Sequence, residues 1–119
     1  MPFTGSCCQQ IFCVELKNWI LNSSPNAQLL DEAGNVVKTF TLASDDLTYW
    51  QSGSVVIFRV HIRDDSNESY SFKRVQVFGQ MAPEASPILV IDHTLEQAYT
   101  KGASQILDVY IYTGIQDVI

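Results

Sequence analysis

The sequence predicts a mainly β fold, an antiparallel β-sandwich carrying one N-terminal α-helix, and three observations carry that expectation. Runs of about five to nine residues alternate β-branched or aromatic positions with polar ones. Clusters of Gly, Pro, Ser and Asn separate these runs, as turns do between half-buried strands. One segment near the start instead repeats apolar residues at helical spacing.

At 119 residues the chain has the length of a single domain that can bury its own core. We expect residues 1–22 to form a leader and helix and residues 27–119 to form the sandwich. Hydrophobic residues make up 46% and charged residues 17%, so disorder is disfavoured and the surface must be rich in uncharged polar groups. Because charge is depleted at the centre of protein interfaces, this balance suits a subunit covered by neighbours.

The formal net charge is −6, with seven Lys and Arg scattered along the chain. Phosphate neutralisation needs clustered cations, so direct nucleic-acid binding is not expected. No run approaches the roughly 18 apolar residues of a membrane span, and Met1-Pro2-Phe3-Thr4-Gly5 lacks a basic n-region, so neither a membrane role nor export by the general route is expected.

The three cysteines, Cys7, Cys8 and Cys13, lie within one short stretch. An odd, crowded set makes no disulfide framework and suits synthesis in reducing cytosol. Both histidines, His61 and His93, are distant in sequence, so no metal site is expected and the thiols read as small hydrophobes.

Taken in order, Ser6 and Gln9 have the spacing of a capping box. Phe12, Leu16, Trp19 and Ile20 then recur at helical spacing and predict a helix over residues 7–21. Asn22-Ser23-Ser24-Pro25-Asn26 ends it and reads as a hinge, since Pro25 drives Ser24 away from helical geometry. Residues 27–31 and 36–42 read as a hairpin, with Gly34 and Asn35 both suited to positive φ. Ser44-Asp45-Asp46 is a polar turn leading to Tyr49 and Trp50.

Residues 54–63 form the clearest strand. Val56, Phe58, Val60 and Ile62 share one face, with Arg59, His61 and Arg63 on the other. The loop Asp64-Asp65-Ser66-Asn67-Glu68 carries alternate oxygens like a calcium loop, but it lacks that loop's length and glycine and reads as a solvated hairpin tip. In residues 70–79 the apolar parity switches from Tyr70 and Phe72 to Val75 and Val77, which predicts a bulge near Lys73-Arg74. A loop with two prolines, a short apolar strand over residues 88–91 and a mixed segment with one helical turn at residues 94–98 follow. In the last strand Leu107, Val109 and Ile111 face inward, leaving Tyr110 and Tyr112 outward as an amphipathic contact patch.

Catalytic signals are weak. Glu84, Asp92, His93 and Glu96 are the acid–base candidates, but nothing in their spacing brings them to one cleft, and His93 reads as a turn residue at a strand end. No Gly-x-Ser-x-Gly elbow and no glycine-rich phosphate loop occurs. We therefore expect no enzyme, no cofactor and no catalytic residue.

The opening Met1-Pro2-Phe3-Thr4-Gly5, followed by Phe12 and Glu15-Leu16, resembles the start of small virion proteins of tailed bacteriophages. The second half is similar to a module of phage tail, collar and fibre-associated proteins through Val75-Gln76-Val77-Phe78-Gly79, Ile88-Leu89-Val90-Ile91, Lys101-Gly102 and the alternating run from Leu107 to Ile115. The resemblance implies a non-enzymatic structural subunit in the tail, neck or baseplate, or else in capsid decoration, made in the host cytoplasm and located in the virion. Its partners would be its own copies and other virion proteins. Candidate contact residues are Phe12, Leu16, Trp19, Tyr49, Trp50, Tyr110 and Tyr112. A second reading takes Tyr49, Trp50, Tyr110 and Tyr112 as a stacking platform for a carbohydrate or receptor glycan.

Overall fold

The computed structural model describes the backbone of residues 5–116 and the side chains of residues 10–115. Two antiparallel sheets and one helix build the protein. Helix α1 (Gly5–Asn22) is followed by β1 (Ala27–Leu30), β2 (Val36–Phe40), a 3-10 turn (Ser44–Asp46), β3 (Leu47–Ser52), β4 (Val55–Asp64), β5 (Tyr70–Gly79), β6 (Ile88–Lys101) and β7 (Leu107–Gln116). One sheet has the order β2-β1-β5-β6, the other β3-β4-β7. This is the sandwich-like architecture expected from the alternation of the chain.

A single core joins the inner faces of both sheets to one stripe of the helix. Val56, Phe58, Val60 and Ile62 on β4 are fully buried and meet Leu47, Leu107 and Ile111 of their own sheet, with Leu29, Val75 and Val77 from the other. At roughly 25 cal/mol for each Å² of apolar surface removed from water, rows like these hold the layers together. Cys13, Leu16 and Ile20 put the helix into the same cluster. Spacings of three and four residues bring them onto one face. The buried Cys13 packs as a small hydrophobe, and burial pushes its thiol pKa up. The Ser6–Gln9 capping box, Cys7 and Cys8 involve side chains outside the described residues.

The segment expected to be a hinge is a pinned junction. Asn22 Nδ2 donates to Gln80 O at 3.1 Å, Ser23 N to Ile20 O at 3.1 Å, and Asn26 is buried with its side chain bonded to Ile20 and Leu42. Backbone groups removed from water need such partners, and here the partners belong to the helix end and two strands. At the β1–β2 turn Gly34 takes φ +88°, but Asn35 keeps negative φ, because its backbone N–H is directed to the Asp31 carboxylate.

β6 is far longer than the four-residue strand expected. It runs through the segment read as a helical turn and places His93 mid-strand opposite Val75. The alternation is lost there because Thr94 pairs with Arg74 while Tyr99 pairs with Phe72, so the intervening residues of β6 bulge out. That bulge faces the parity switch at Lys73-Arg74. β3 is a strand where the sequence predicts only a polar turn leading to Tyr49 and Trp50.

Candidate functional site

The outer face of the β3-β4-β7 sheet brings aromatic, basic and acidic side chains of three strands together. Pairing sets this face: Trp50 lies opposite Ile57, Arg59 opposite Tyr112 and Thr48, and His61 opposite Tyr110. Trp50, Tyr110 and Tyr112 are 41%, 47% and 58% exposed. Their rings surround Arg59, whose Cζ lies 5.7 Å from the Trp50 centroid and 5.2 Å from that of Tyr110. A guanidinium over two ring faces gains on the order of 0.5–1 kcal/mol from each.

Among the described residues Arg59 donates to no protein acceptor. Its Nε is buried without a hydrogen-bond partner, and among the described residues no carboxylate pairs with it. The Nη groups reach solvent. Thr48 Oγ1, on the neighbouring strand, is likewise buried and unpartnered.

Beside this cation lies a charge network that is internally satisfied. His61 Nε2 donates to Asp108 Oδ1 at 2.8 Å, its Nδ1 lies 3.6 Å from Asp46 Oδ1, and Arg63 Nη1 stands 3.5 Å from Asp108 Oδ2. Nε2 must carry the proton in that bond, because a carboxylate only accepts. The imidazole also stacks on Tyr110 at 4.4 Å with planes 6° apart. Asp46 is held in turn by Ala43 N, which donates to Oδ2 at 3.0 Å.

Two residues expected at a contact surface belong to the core instead. Leu16 is buried against both sheets, and Tyr49 points inward because its register partner is Phe58, on whose ring it stacks with planes 3° apart. Trp19 is half-buried, edge-on to the exposed Phe12 at 6.2 Å. The planar sugar platform is not formed, since Trp50 and Tyr112 meet at 82°. Arg59 was read only as an outward residue; its aromatic walls come from β3 and β7, and pairing of those strands was not legible.

The acid–base candidates do not converge. Asp92 is engaged by Arg74 through both oxygens, with Nε at 2.6 Å, and this pairing holds its carboxyl below the usual range. Glu84, His93 and Glu96 are exposed on the β5–β6 loop and β6. A groove of about 610 Å³ lies along β2 and the start of β5, but its charges, Lys38 and Glu68, are paired with each other. Among the described residues no three His, Cys, Asp or Glu side chains are placed to hold a metal, and no helix is long and apolar enough to cross a membrane.

The cation of the β4–β5 loop is internal. Lys101, fully buried at the end of β6, donates through Nζ to the carbonyls of Ser66 and Glu68 at 2.7 Å each and of Gly102 at 3.2 Å. The loop read from sequence as oxygen-rich thus wraps an ammonium. No family model matches this chain, and no curated protein or solved structure matches it either.

Proposed function

We propose that the protein is a non-enzymatic structural subunit that associates with its own copies through the outer face of the β3-β4-β7 sheet. The observation that carries this reading is the juxtaposition of Trp50, Tyr110 and Tyr112, three exposed amphipathic rings around one arginine. Aromatic and arginine side chains are the groups most enriched where interfaces gain their energy. Exposed Ile11, Phe12, Val14 and Leu21 along the outer side of α1 add a second apolar surface of the kind that neighbours cover in an assembly.

The resemblance of the leader and the second half to small virion proteins assigns such an assembly to a phage particle, in the tail, neck or baseplate, or as capsid decoration. That reading rests on the resemblance, whereas self-association rests on the surface.

Light scattering across a dilution series tests the proposal. The expected result is a defined oligomer that persists on dilution and falls to the monomer mass in the double variant Trp50→Ala, Tyr112→Ala. A monomer at every concentration overturns it. Binding of glycans by that monomer would transfer the same rings to the carbohydrate reading.

A further inference from the structure

We infer that Arg59 is the receptor for a carboxylate supplied by a second copy of this chain, so that subunits join head to tail. The inference rests on the self-association proposed above and specifies how it is made.

Arg59 is an arginine built to be met. Its rings fix it from two sides, its Nε is buried without an acceptor, and its Nη groups are open to solvent. A guanidinium held between two rings loses little freedom when an oxyanion arrives at its Nη groups. The carboxylates already on this face, Asp46 and Asp108, are occupied by His61 and Arg63.

Charge complementarity points to the occupant. The chain has 13 acidic and seven basic residues. Glu15, Glu32, Asp45, Asp65, Glu84 and Glu96 are exposed and without an ion pair among the described residues, and they lie on α1, the β1–β2 turn, the 3-10 turn before β3, the β4–β5 loop, the β5–β6 loop and β6. None is on β3, β4 or β7. Among the described residues Lys17 and Lys73 are likewise in no ion pair, but neither of them lies over an aromatic ring as Arg59 does. A two-fold contact centred on Arg59 would oppose two guanidinium groups. A face-to-acid contact avoids this, and because its two surfaces differ it propagates into a ring or filament.

The test compares the wild type, Arg59→Gln and Arg59→Glu by light scattering over a dilution series, with near-ultraviolet circular dichroism to establish that each variant folds. The wild type is expected to assemble, and raising NaCl from 0.05 to 1 M should weaken its association about tenfold, as an ion pair open to solvent requires. Arg59→Gln should dissociate at concentrations where the wild type is assembled. Mixing Arg59→Glu into the wild type should lower the mean mass, because each variant copy docks on a neighbour but accepts none. A wild-type assembly that stops at a discrete dimer at every concentration overturns the head-to-tail contact. A wild-type assembly indifferent to both salt and Arg59→Gln overturns the inference and leaves self-association standing, whereas a monomeric wild type removes both.

Discussion

Leu42 N donates to Asn26 Oδ1 at 2.7 Å, and Asn26 Nδ2 donates back to Leu42 O at 3.2 Å, so one side chain pairs with a backbone as a neighbouring strand would. The same amide reaches Ile20 O near the end of the helix at 3.1 Å, while the Asn26 backbone bonds to Phe40 and Phe78. Helix, first hairpin and β5 are locked through this one buried residue. Asn26→Ala leaves three buried backbone groups without partners, and each costs about 1 kcal/mol or more. We expect the variant to lose roughly 2–4 kcal/mol in urea unfolding. Asn26→Asp should fall as far, because a carboxylate keeps the acceptor and loses both donors.

Lys101 fills the position that a bound cation would otherwise take in the β4–β5 loop. Its removal in Lys101→Met strands the carbonyls of Ser66, Glu68 and Gly102, and the expected loss is about 2–4 kcal/mol with faster amide exchange over residues 64–69. Millimolar calcium should leave the wild-type melting temperature unchanged, since these carbonyls already hold an ammonium. A calcium-dependent rise would show that the ion displaces Lys101.

Local pattern carried much of the fold. The period of two placed Val56, Phe58, Val60 and Ile62 inside, and the parity switch within Tyr70–Gly79 marked the bulge that pairing displays between Phe72 and Arg74. Local pattern failed where pairing decides. Tyr49 and Trp50 are adjacent and equally aromatic, and only the register with Phe58 and Ile57 sends one inward and the other outward. β6 was missed because its bulge breaks the alternation and leaves Glu96, Gln97 and Ala98 exposed. The setting of Arg59 depends on Trp50 from one neighbouring strand and Tyr110 from the other. No single stretch of sequence holds that constellation.

Gly79 lets the helix approach the end of β5. A Cβ there would stand 3.2 Å from both the backbone carbon and the Cβ of Trp19 and 3.4 Å from Ile20 N, while Gln80 N donates to Trp19 O at 2.8 Å and fixes the approach. Gly79→Ala should therefore cost about 1–3 kcal/mol, as overpacking against backbone does. Gly114→Ala is the control, since its new methyl would meet only side-chain carbons, Val55 Cγ1 at 3.2 Å and Ile57 Cδ1 at 4.0 Å. Equal thermal stability of the two variants would refute the close approach as the reason for glycine.

Asp64 sets an acid limit on stability. Burial opposes its charge, but hydrogen bonds from Ser66 and from the Tyr70 hydroxyl at 2.7 Å, together with the Lys38 charge, outweigh burial and bring its pKa down to about 2. The same contact, added to burial, raises the Tyr70 phenol. A carboxyl with a depressed folded pKa contributes stability above its unfolded value near 3.9, and that contribution is lost as pH falls through the folded value. For Asp64 the window runs from about pH 4 to about pH 2, and the contribution is on the order of 2 kcal/mol. Asp31, held below the usual carboxylate range by the Asn35 backbone, and Asp92, held low by Arg74, also weaken the fold when they are protonated, so the wild-type curve alone does not isolate one residue. The difference between wild type and Asp64→Asn does. Urea unfolding should show the variant less stable at pH 7 and the two proteins converging toward pH 2. Parallel curves from pH 5 to pH 2 would mean that the buried carboxylate contributes no charge-dependent stability.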